Sequence, residues 1–180
     1  MPSLDASLPP GPSARRVLVA FASRHGSTEE VAHAIASVLR ERGFVVDLRS
    51  ATSVHGVAGY DAVVIGGALY TARWHREARR LLHRERAALA RMPVAVFAMG
   101  PRTLDDDEVE HSRRELGVAL DEVPDVVPVS VAIFGGVVDP AKLHFPLNRM
   151  PAVDARDWDA IRAWAGALPA RLESGRQVSA

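Results

Sequence analysis

Residues 17–43 read VLVAFASRHGSTEEVAHAIASVLRERG, and this stretch decides the fold. Residues 17–21 form an uninterrupted apolar run, which is typical of a buried strand in a parallel sheet. In residues 28–42 the apolar side chains recur at helical spacing, and Ser27 with Glu30 fits a capping box at the start of that helix. The stretch therefore predicts a buried strand, a short polar loop and an amphipathic helix.

The same alternation of strands and helices continues along the chain. Further strands are predicted at 44–48, 62–67, 94–99 and 126–134, further helices at 71–89, 105–120 and 154–172, and a weaker short helix within 51–59. Strands that alternate with helices imply right-handed crossovers and a parallel sheet covered on both faces. We therefore expect an α/β fold in three layers, with a doubly wound, five-stranded parallel sheet.

The composition is that of one globular domain. The chain has 180 residues, of which 48% are hydrophobic and 24% charged, and a chain of this size buries enough surface to fold without disulfides. We expect a single domain over residues 15–173, with a flexible tail rich in Pro and Ser at 1–14 and a second tail at 174–180. Residues 135–153, here called the long segment, are too long for an idle connection and predict a lid or a docking surface.

The composition also excludes several kinds of chemistry. Because the chain has no cysteine, it has no disulfide, no thiolate zinc site, no cysteine-ligated iron–sulfur cluster and no thiol nucleophile. Basic and acidic residues number 22 each, and a net charge of zero argues against a nucleic-acid-binding protein. The sequence has neither a long apolar run typical of a membrane span nor a signal-peptide pattern, so we expect a cytoplasmic protein.

The polar loop at residues 23–28, here called the first loop, is the first candidate site. In doubly wound sheets, ligands bind beyond the carboxyl ends of the strands, where the winding direction reverses. Three hydroxyls, a glycine and several backbone amides directly before a helix suit a terminal phosphate. Neither GxxxxGK[ST] nor GxGxxG is present, which leaves a phosphate monoester as the expected ligand. The alternative is that Ser27 and Thr28 only cap the helix.

Seven residues of this stretch carry a resemblance to a known family. They are Val19, Phe21, Ser23, Gly26, Thr28, Ala32 and Ile35. In order and spacing they resemble the flavodoxin signature, which implies the strand order 2-1-3-4-5 and flavin mononucleotide (FMN) as the cofactor. In that family, this loop binds the FMN phosphate. The resemblance implies that the hydroxyls come from Ser23, Ser27 and Thr28, and that the loop is lined by Arg24, His25 and Gly26.

The resemblance also implies two loops beside the flavin ring. The second loop contains Ala68, Leu69, Tyr70 and Thr71, and the third loop contains Met99, Gly100, Pro101 and Arg102. Family members place an apolar or aromatic residue of the second loop against the ring, so Tyr70 is the expected stacking residue. Trp74 is either a further ring contact or a core residue, and Arg102 is either near the pyrimidine end of the flavin or solvated. The flavin itself takes up the electrons, so we expect no catalytic side chain and no metal site.

Charge is segregated along the chain. Residues 73–91 contain seven arginines and two glutamates, whereas residues 105–125 contain nine acidic residues and two arginines. Solvated helix faces explain most of these residues. The basic segment, however, follows the second loop, where a partner, an anionic substrate or the inner face of a membrane would approach the flavin. This arrangement and the long segment resemble the menaquinone-dependent protoporphyrinogen dehydrogenase branch of the flavodoxin-like family.

That branch implies an oxidoreductase of haem biosynthesis, which oxidises protoporphyrinogen and passes the electrons to a quinone. An arginine-rich rim would suit the propionate groups of a porphyrinogen. Two alternatives stay open. One is a soluble flavodoxin-type electron carrier that serves a redox partner protein and has no substrate of its own. The other is a flavin-free interaction module on the same fold.

Overall fold

The structure is a computed structural model and describes residues 15–174. Its strands are β1 (Arg16–Ala22), β2 (Val45–Ser50), β3 (Ala62–Tyr70), β4 (Arg73–Trp74), β5 (Val94–Met99), β6 (Ser130–Phe134), β7 (Val137–Val138) and β8 (Val153–Asp154). Its α-helices are α1 (Ser27–Glu41), α2 (Arg76–Arg84), α3 (Arg86–Leu89), α4 (Asp106–Asp121) and α5 (Trp158–Ser174). Short 3₁₀ turns lie at Ala51–Ser53, Pro140–Lys142 and Leu147–Arg149. The predicted tails lie outside the described residues, except for Ser174, which ends α5.

Five parallel strands form the centre of the fold in the order β2-β1-β3-β5-β6. Counted among the parallel strands alone, this is the order 2-1-3-4-5, so the predicted topology is confirmed. Val17 of β1 is aligned with Val46 on one side and with Ala62 on the other. The short strand β4 adds an antiparallel pair at the end of β3. The winding direction reverses between β1 and β3, and the first loop therefore lies at the switch point of the sheet.

Helices cover both faces of the sheet. On one face, α1 and α5 pack against the strands, and the fully buried Val31, Ile35 and Leu39 of α1 repeat at helical spacing. On the other face, α2, α3 and α4 pack through residues that include Leu81 and Leu116. Strands β1 and β5 are thus buried on both faces, which explains their uninterrupted apolar sequences. No helix within residues 15–174 has the length and apolar content to cross a membrane.

The basic and acidic segments meet on the second of these faces. Arg79 and His83 of α2 both contact the carboxylate of Glu122, which follows α4 directly. The hydrogen bonds from His83 and Arg79 hold the pKa of Glu122 below its ordinary value, although partial burial opposes them. The two charged segments are therefore not only solvated helix faces, because they also neutralise each other.

Several local predictions differ from the structure. The last helix begins at Trp158 and not at 154, because Asp154 belongs to β8. The stretch at 71–89 is not one helix, because its first residues turn back along β3 and the rest divides into α2 and α3. The capping box of Ser27 and Glu30 is wrong, because Gly26 occupies the N-cap and no side chain makes a capping hydrogen bond there. The last parallel strand begins at Ser130 and not at 126.

The hairpin between β3 and β4 turns on two residues with positive φ. Thr71 has φ 47° and Ala72 has φ 61°. Two-residue hairpin turns of this kind prefer Gly, Asn or Asp, because side chains, and β-branched ones above all, are strained at positive φ. Trp74 then returns to the interior, where it is 1% exposed and its indole N–H donates to the carbonyl of Gly67 at 3.1 Å. Of the two roles open to Trp74, the structure supports the core.

Candidate functional site

The three candidate loops meet at one edge of the sheet. The first and third loops lie at the carboxyl ends of β1 and β5, which both neighbour β3. The predicted second loop is mostly strand, because Ala68, Leu69 and Tyr70 end β3 and only Thr71 lies in the turn that follows. The register aligns Ala22 with Gly67 and Ala68 with Met99, so the three strands end close together. Residues that are far apart in the sequence therefore surround a common space beyond the sheet.

The first loop is a compact turn that leads into α1. The backbone N–H of Gly26 donates to Ser23 Oγ at 2.9 Å, and the N–H of Glu30 donates to the Gly26 carbonyl at 3.0 Å. Gly26 has φ 94°, where any side chain would be strained, so the turn requires a glycine. The loop thereby brings the unpaired amides of the first helical turn and the positive end of the helix dipole to one place.

Thr28 has an unusual environment for a hydroxyl. The residue is fully buried, and its Oγ1 has no hydrogen-bond partner among the described residues. Leaving a buried hydroxyl unpaired costs about 1–3 kcal/mol. Native proteins keep few such groups, and each needs an explanation. This is the position at which the sequence predicts a phosphate-binding hydroxyl.

Tyr70 ends β3 and stands between two histidines. Its ring meets the ring of His25 edge-on, with the centroids 6.3 Å apart, and that of His75 at 6.0 Å. Burial raises the pKa of the Tyr70 hydroxyl, while the charge and the backbone of Arg24 oppose this shift. Tyr70 is thus a neutral aromatic residue that packs against the first loop.

His75 fixes the position of the second loop. Its backbone N–H donates to the Ala68 carbonyl at 2.8 Å, and its Nδ1 accepts from the N–H of Glu77 at 3.2 Å, which caps α2. Burial lowers the pKa of His75, although the nearby Glu77 carboxylate opposes the shift. Because only a neutral imidazole can accept a hydrogen bond, this low pKa suits the capping role.

Two clefts flank Tyr70. One cleft, of about 330 Å³, is lined by His25, Ser27 and Tyr70 and by apolar residues of the long segment, Val137, Val138, Leu143 and Met150. Four charged residues also line it, namely Glu30, Asp139, Lys142 and Arg156. Its volume lies in the range of small-molecule sites, about 300–1,000 Å³. We call it the apolar cleft. The other, of about 500 Å³, is lined by residues that include Arg24, Arg73, His75 and Arg76, and we call it the basic cleft.

The third loop satisfies its own amides. The N–H of Gly100 donates to the Phe134 carbonyl at 3.1 Å. The N–H groups of Arg102 and Thr103 donate to the Glu108 carboxylate at 2.9 and 3.0 Å, respectively. These hydrogen bonds hold the pKa of Glu108 below its ordinary value, and the bond from the Thr103 N–H has the largest effect. The backbone amides of Arg102 and Thr103 can therefore meet a flavin ring only if Glu108 releases them.

The structure brings some of the predicted site residues together and separates others. His25, Ser27 and Tyr70 share the apolar cleft, whereas Arg24 and Tyr70 share the basic cleft. A separate depression is lined by Leu69, Gly100, Pro101 and Arg102 together with Glu108. Of the remaining predicted residues, Ala68 and Met99 are buried and Thr71 is exposed at the hairpin turn.

The long segment folds back towards the first loop. Its base is a two-stranded ladder in which Val138 of β7 pairs with Val153 of β8. Gly135 lies so close to the backbone of Ala155 that a Cβ at this position would collide with the Ala155 carbonyl. The N–H of Gly136 donates to the Pro101 carbonyl at 2.8 Å, which joins the segment to the third loop.

The long segment and the residues directly after it are attached to the first loop and α1 by two residues that the sequence pattern did not single out. Lys142 Nζ donates to the His25 carbonyl at 3.1 Å, across 117 positions of sequence. Arg156 has a side chain that is only 10% exposed and pairs with Glu30 at 2.6 Å and with Asp154 at 2.7 Å. The one available signal in the sequence was that Lys142 is the sole lysine. Neither contact follows from local spacing.

Comparisons with known proteins agree with this geometry. Residues 18–150, more than half of the chain, match the family model described as the flavodoxin domain. A mutant of the flavodoxin from Pseudomonas aeruginosa aligns with a TM-score of 0.58 at 17% identity, over 88% of this chain and 99% of that one. A flavodoxin from the domain Archaea aligns with a TM-score of 0.57 at 11% identity, again over 88% and 99% of the two chains. Both have the same fold as this chain.

The doubly wound sheet and its first loop define a protein of the flavodoxin-like class. The chain belongs to the flavodoxin domain family, as its sequence signature predicts, and FMN is its cofactor. Within this class, protoporphyrinogen IX dehydrogenase (quinone) from Escherichia coli strain K12 is 29% identical over 89 residues, which are 47% of this chain and 48% of that protein. The chain thus spans about half the length of the curated relatives it matches.

The residues around the first loop fit FMN. The unpartnered hydroxyl of Thr28, the hydroxyl of Ser27 and the first-turn amides are donors suited to a phosphate monoester. The cationic side chains of Arg24 and Lys142 add positive charge close to the same loop. Tyr70 provides an aromatic surface at the edge of the adjoining apolar cleft. When bound, FMN supplies the acceptor for electrons or hydride.

Proposed function

We propose that this protein is an FMN-dependent oxidoreductase that passes electrons through its flavin, with the quinone-linked oxidation of protoporphyrinogen as its reaction. The observation that carries the proposal is the apolar cleft, which the first loop, Tyr70 and the long segment enclose together. The partial match to the E. coli enzyme supports the choice of substrate and acceptor. In this reaction the oxidation of one porphyrinogen to the porphyrin removes six electrons and six protons, which reduce three quinones to quinols.

In this proposal each loop has a separate role towards FMN. The phosphate is bound by residues of the first loop: Ser23, Arg24, His25, Gly26, Ser27 and Thr28. The ring lies beside residues of the second loop: Ala68, Leu69, Tyr70 and Thr71. Its polar edge meets the third loop: Met99, Gly100, Pro101 and Arg102. Because Glu108 accepts from two amides there, we expect the third loop to rearrange when the cofactor binds.

The basic cleft supports an anionic substrate. Arg73 lines it beside Tyr70, and guanidinium groups bind the carboxylates of propionate side chains in a bidentate geometry. Several other arginines of segment 73–91 have acidic partners, such as Glu122 for Arg79 and Glu85 for Arg84, whereas Arg73 has no ion pair among the described residues. We therefore propose the basic cleft, rather than the whole segment, as the surface that receives the substrate.

The quinone acceptor implies a place of action. Quinones of this kind reside in membranes, so the proposed protein works in the cytoplasm as a peripheral protein at the inner face of the membrane. Segment 73–91 is the surface proposed for that contact. Sedimentation with anionic vesicles tests this part of the proposal: the protein should sediment with the vesicles at low salt and separate from them at high salt.

The experiment for the proposed function has two stages. The first is an absorbance spectrum of the purified protein, followed by titration with FMN, FAD and riboflavin; FMN should bind most tightly because its phosphate is recognised. The second is anaerobic turnover of protoporphyrinogen with menaquinone, followed by the fluorescence of the porphyrin product. Arg73→Gln should raise KM for protoporphyrinogen, whereas Arg91→Gln, which lies outside the basic cleft, should not.

The same experiment separates the alternatives. A protein that binds FMN, gives no porphyrin and reduces a redox partner protein is the electron carrier. A colourless protein that ignores added FMN is the interaction module, and that result would refute the proposed function altogether.

A further inference from the structure

We propose that Lys142 is a phosphate-binding residue of the cofactor site and that the long segment delivers it to the first loop. This inference rests on the proposed function and goes beyond it, because it makes FMN binding depend on a residue 117 positions away from the loop. It also assigns a task to the long segment, which the sequence marks only as a lid or docking surface.

Local structure determines where the Lys142 side chain can reach. Lys142 ends the 3₁₀ turn that begins at Pro140, and Asp139 caps this turn by accepting from the N–H of Ala141 at 3.1 Å. The pairing of β7 with β8 holds the base of the segment, and the ion pair of Arg156 with Glu30 joins the following residues to α1. Lys142 is therefore presented from an anchored turn.

The ammonium group of Lys142 has a donor to spare. An ammonium carries three N–H donors. One goes to the His25 carbonyl at 3.1 Å, and Asp139 Oδ2 lies 3.7 Å away, at ion-pair distance. Lys142 and Ser27, the first residue of α1, line the same cleft, so the ammonium group and the start of α1 share one space. A third donor thus remains for a phosphate oxygen.

Charge favours this role for the lysine. A phosphate monoester carries a charge of about −1.5 to −2 at neutral pH. An ammonium delivered by the long segment would offset part of that charge and form a charge-assisted hydrogen bond. The side chain is 53% exposed, so water screens the attraction and we expect a moderate effect on affinity.

The contact also couples the long segment to the cofactor. If the FMN phosphate binds Lys142, then FMN must stabilise the position of the segment, and by linkage the docked segment must strengthen FMN binding by the same factor. Riboflavin has the same ring and no phosphate. It should therefore leave the segment as it is in the flavin-free protein.

The first test compares the affinities of two flavins, measured by the quenching of flavin fluorescence. Lys142→Met should weaken FMN binding by about tenfold, since a partly exposed hydrogen bond to a charged group is lost. Riboflavin binding should change by less than about twofold, and Lys142→Arg should restore most of the FMN affinity. The matched control is Arg149→Gln, which removes one positive charge from the same segment at a side chain that lies over the Phe145 ring.

The second test uses the fact that the chain has one lysine. A lysine-specific endoproteinase cuts the wild-type protein only after Lys142, so the rate of this single cut reports whether the residue is accessible. Saturating FMN should slow the cut at least fivefold, whereas saturating riboflavin should leave its rate nearly unchanged.

The outcomes distinguish this inference from the proposed function. Suppose that the wild-type protein prefers FMN to riboflavin. If Lys142→Met then keeps its full affinity for FMN, or loses affinity for both flavins equally, the role of Lys142 is refuted and the proposed function stands. An equal loss in Arg149→Gln refutes it too, because general charge would then explain the effect. A wild-type protein that binds no FMN refutes both.

Discussion

Replacing Thr28 with valine should make the flavin-free protein more stable and weaken its binding of FMN. Valine has the shape of threonine but replaces the buried, unpartnered Oγ1 with a methyl group. The desolvation cost of that hydroxyl, about 1–3 kcal/mol, disappears in the variant. Valine and threonine have similar helix propensities, so the substitution changes this contribution little. We therefore expect the free energy of unfolding to rise by about 1 kcal/mol.

The effect on FMN has the opposite sign. In the proposed site the Thr28 hydroxyl donates to the phosphate, and a hydrogen bond to a charged group contributes about 1.5–3 kcal/mol. Its loss corresponds to about a 10–100-fold weaker affinity. Riboflavin affinity should change little, since riboflavin has no phosphate. One substitution thus improves stability while it impairs the recognition of the cofactor.

Urea unfolding of the flavin-free protein and a fluorescence titration with both flavins measure the two effects. With an m-value of about 2 kcal/mol/M, the expected gain moves the midpoint by about 0.5 M urea. Thr52→Val is the control, because the hydroxyl of Thr52 is exposed and bonded to Ser50 Oγ at 2.8 Å, so its removal should not stabilise the protein. If Thr28→Val lowers the stability and leaves FMN binding intact, the hydroxyl is structural and the reasoning fails.

Three further predictions concern the surroundings of the site. The double variant Thr71→Asn, Ala72→Gly should raise the unfolding free energy by about 1 kcal/mol, because both residues then tolerate positive φ; a lower thermal midpoint would argue against strain in the hairpin. The pKa of His75 is lowered on folding, so the unfolded state binds the imidazole proton more readily than the folded state does. The contribution of neutral His75 to the free energy of unfolding is therefore full above about pH 6.5 and is lost as the pH falls from there through the folded pKa. His75→Asn, which still caps a helix, should flatten that part of the pH profile of stability measured by urea unfolding. Gly135→Ala should displace the base of the long segment, since its Cβ meets the Ala155 carbonyl, and should accelerate the cut after Lys142; an unchanged rate would show that the anchor does not control the segment.

The central strands and the first loop could be predicted because their signals are local. The apolar run at residues 94–99 has the same bounds as β5, since a strand buried on both faces needs no polar alternation. The polar loop between β1 and α1 is likewise a local signal, and Gly26 makes its turn with φ 94°. The capping box failed because Gly26 took the N-cap position, so the hydroxyl of Ser27 is placed one residue inside the helix.

The second loop and the long segment show where local signals end. The spacing along one helix face continues from Trp74 through Ala78 to Leu82, so the sequence predicted a helix where β4 lies. The turn before β4 gave no signal either, because it uses Thr71 and Ala72 rather than Gly or Asn. The contacts of Lys142 and Arg156 with the first loop and α1 span 117 and 126 positions. Such contacts depend on how the whole sheet is assembled, which spacing along the chain does not encode.

The pairing of α2 with α4 also has a consequence for how this protein meets its partners. The most strongly charged segments of the chain share one face, where Arg79 and His83 meet Glu122, and the molecule as a whole is neutral. Opposite charges so close together partly cancel, so their field falls off faster with distance than that of charges of one sign. Diffusional encounters with a soluble partner protein should therefore proceed without long-range steering, at a rate that added salt changes little, whereas salt should still weaken the direct contact of exposed arginines with an anionic membrane. Selectivity between partners would then arise after the first contact, from the rate at which each complex dissociates.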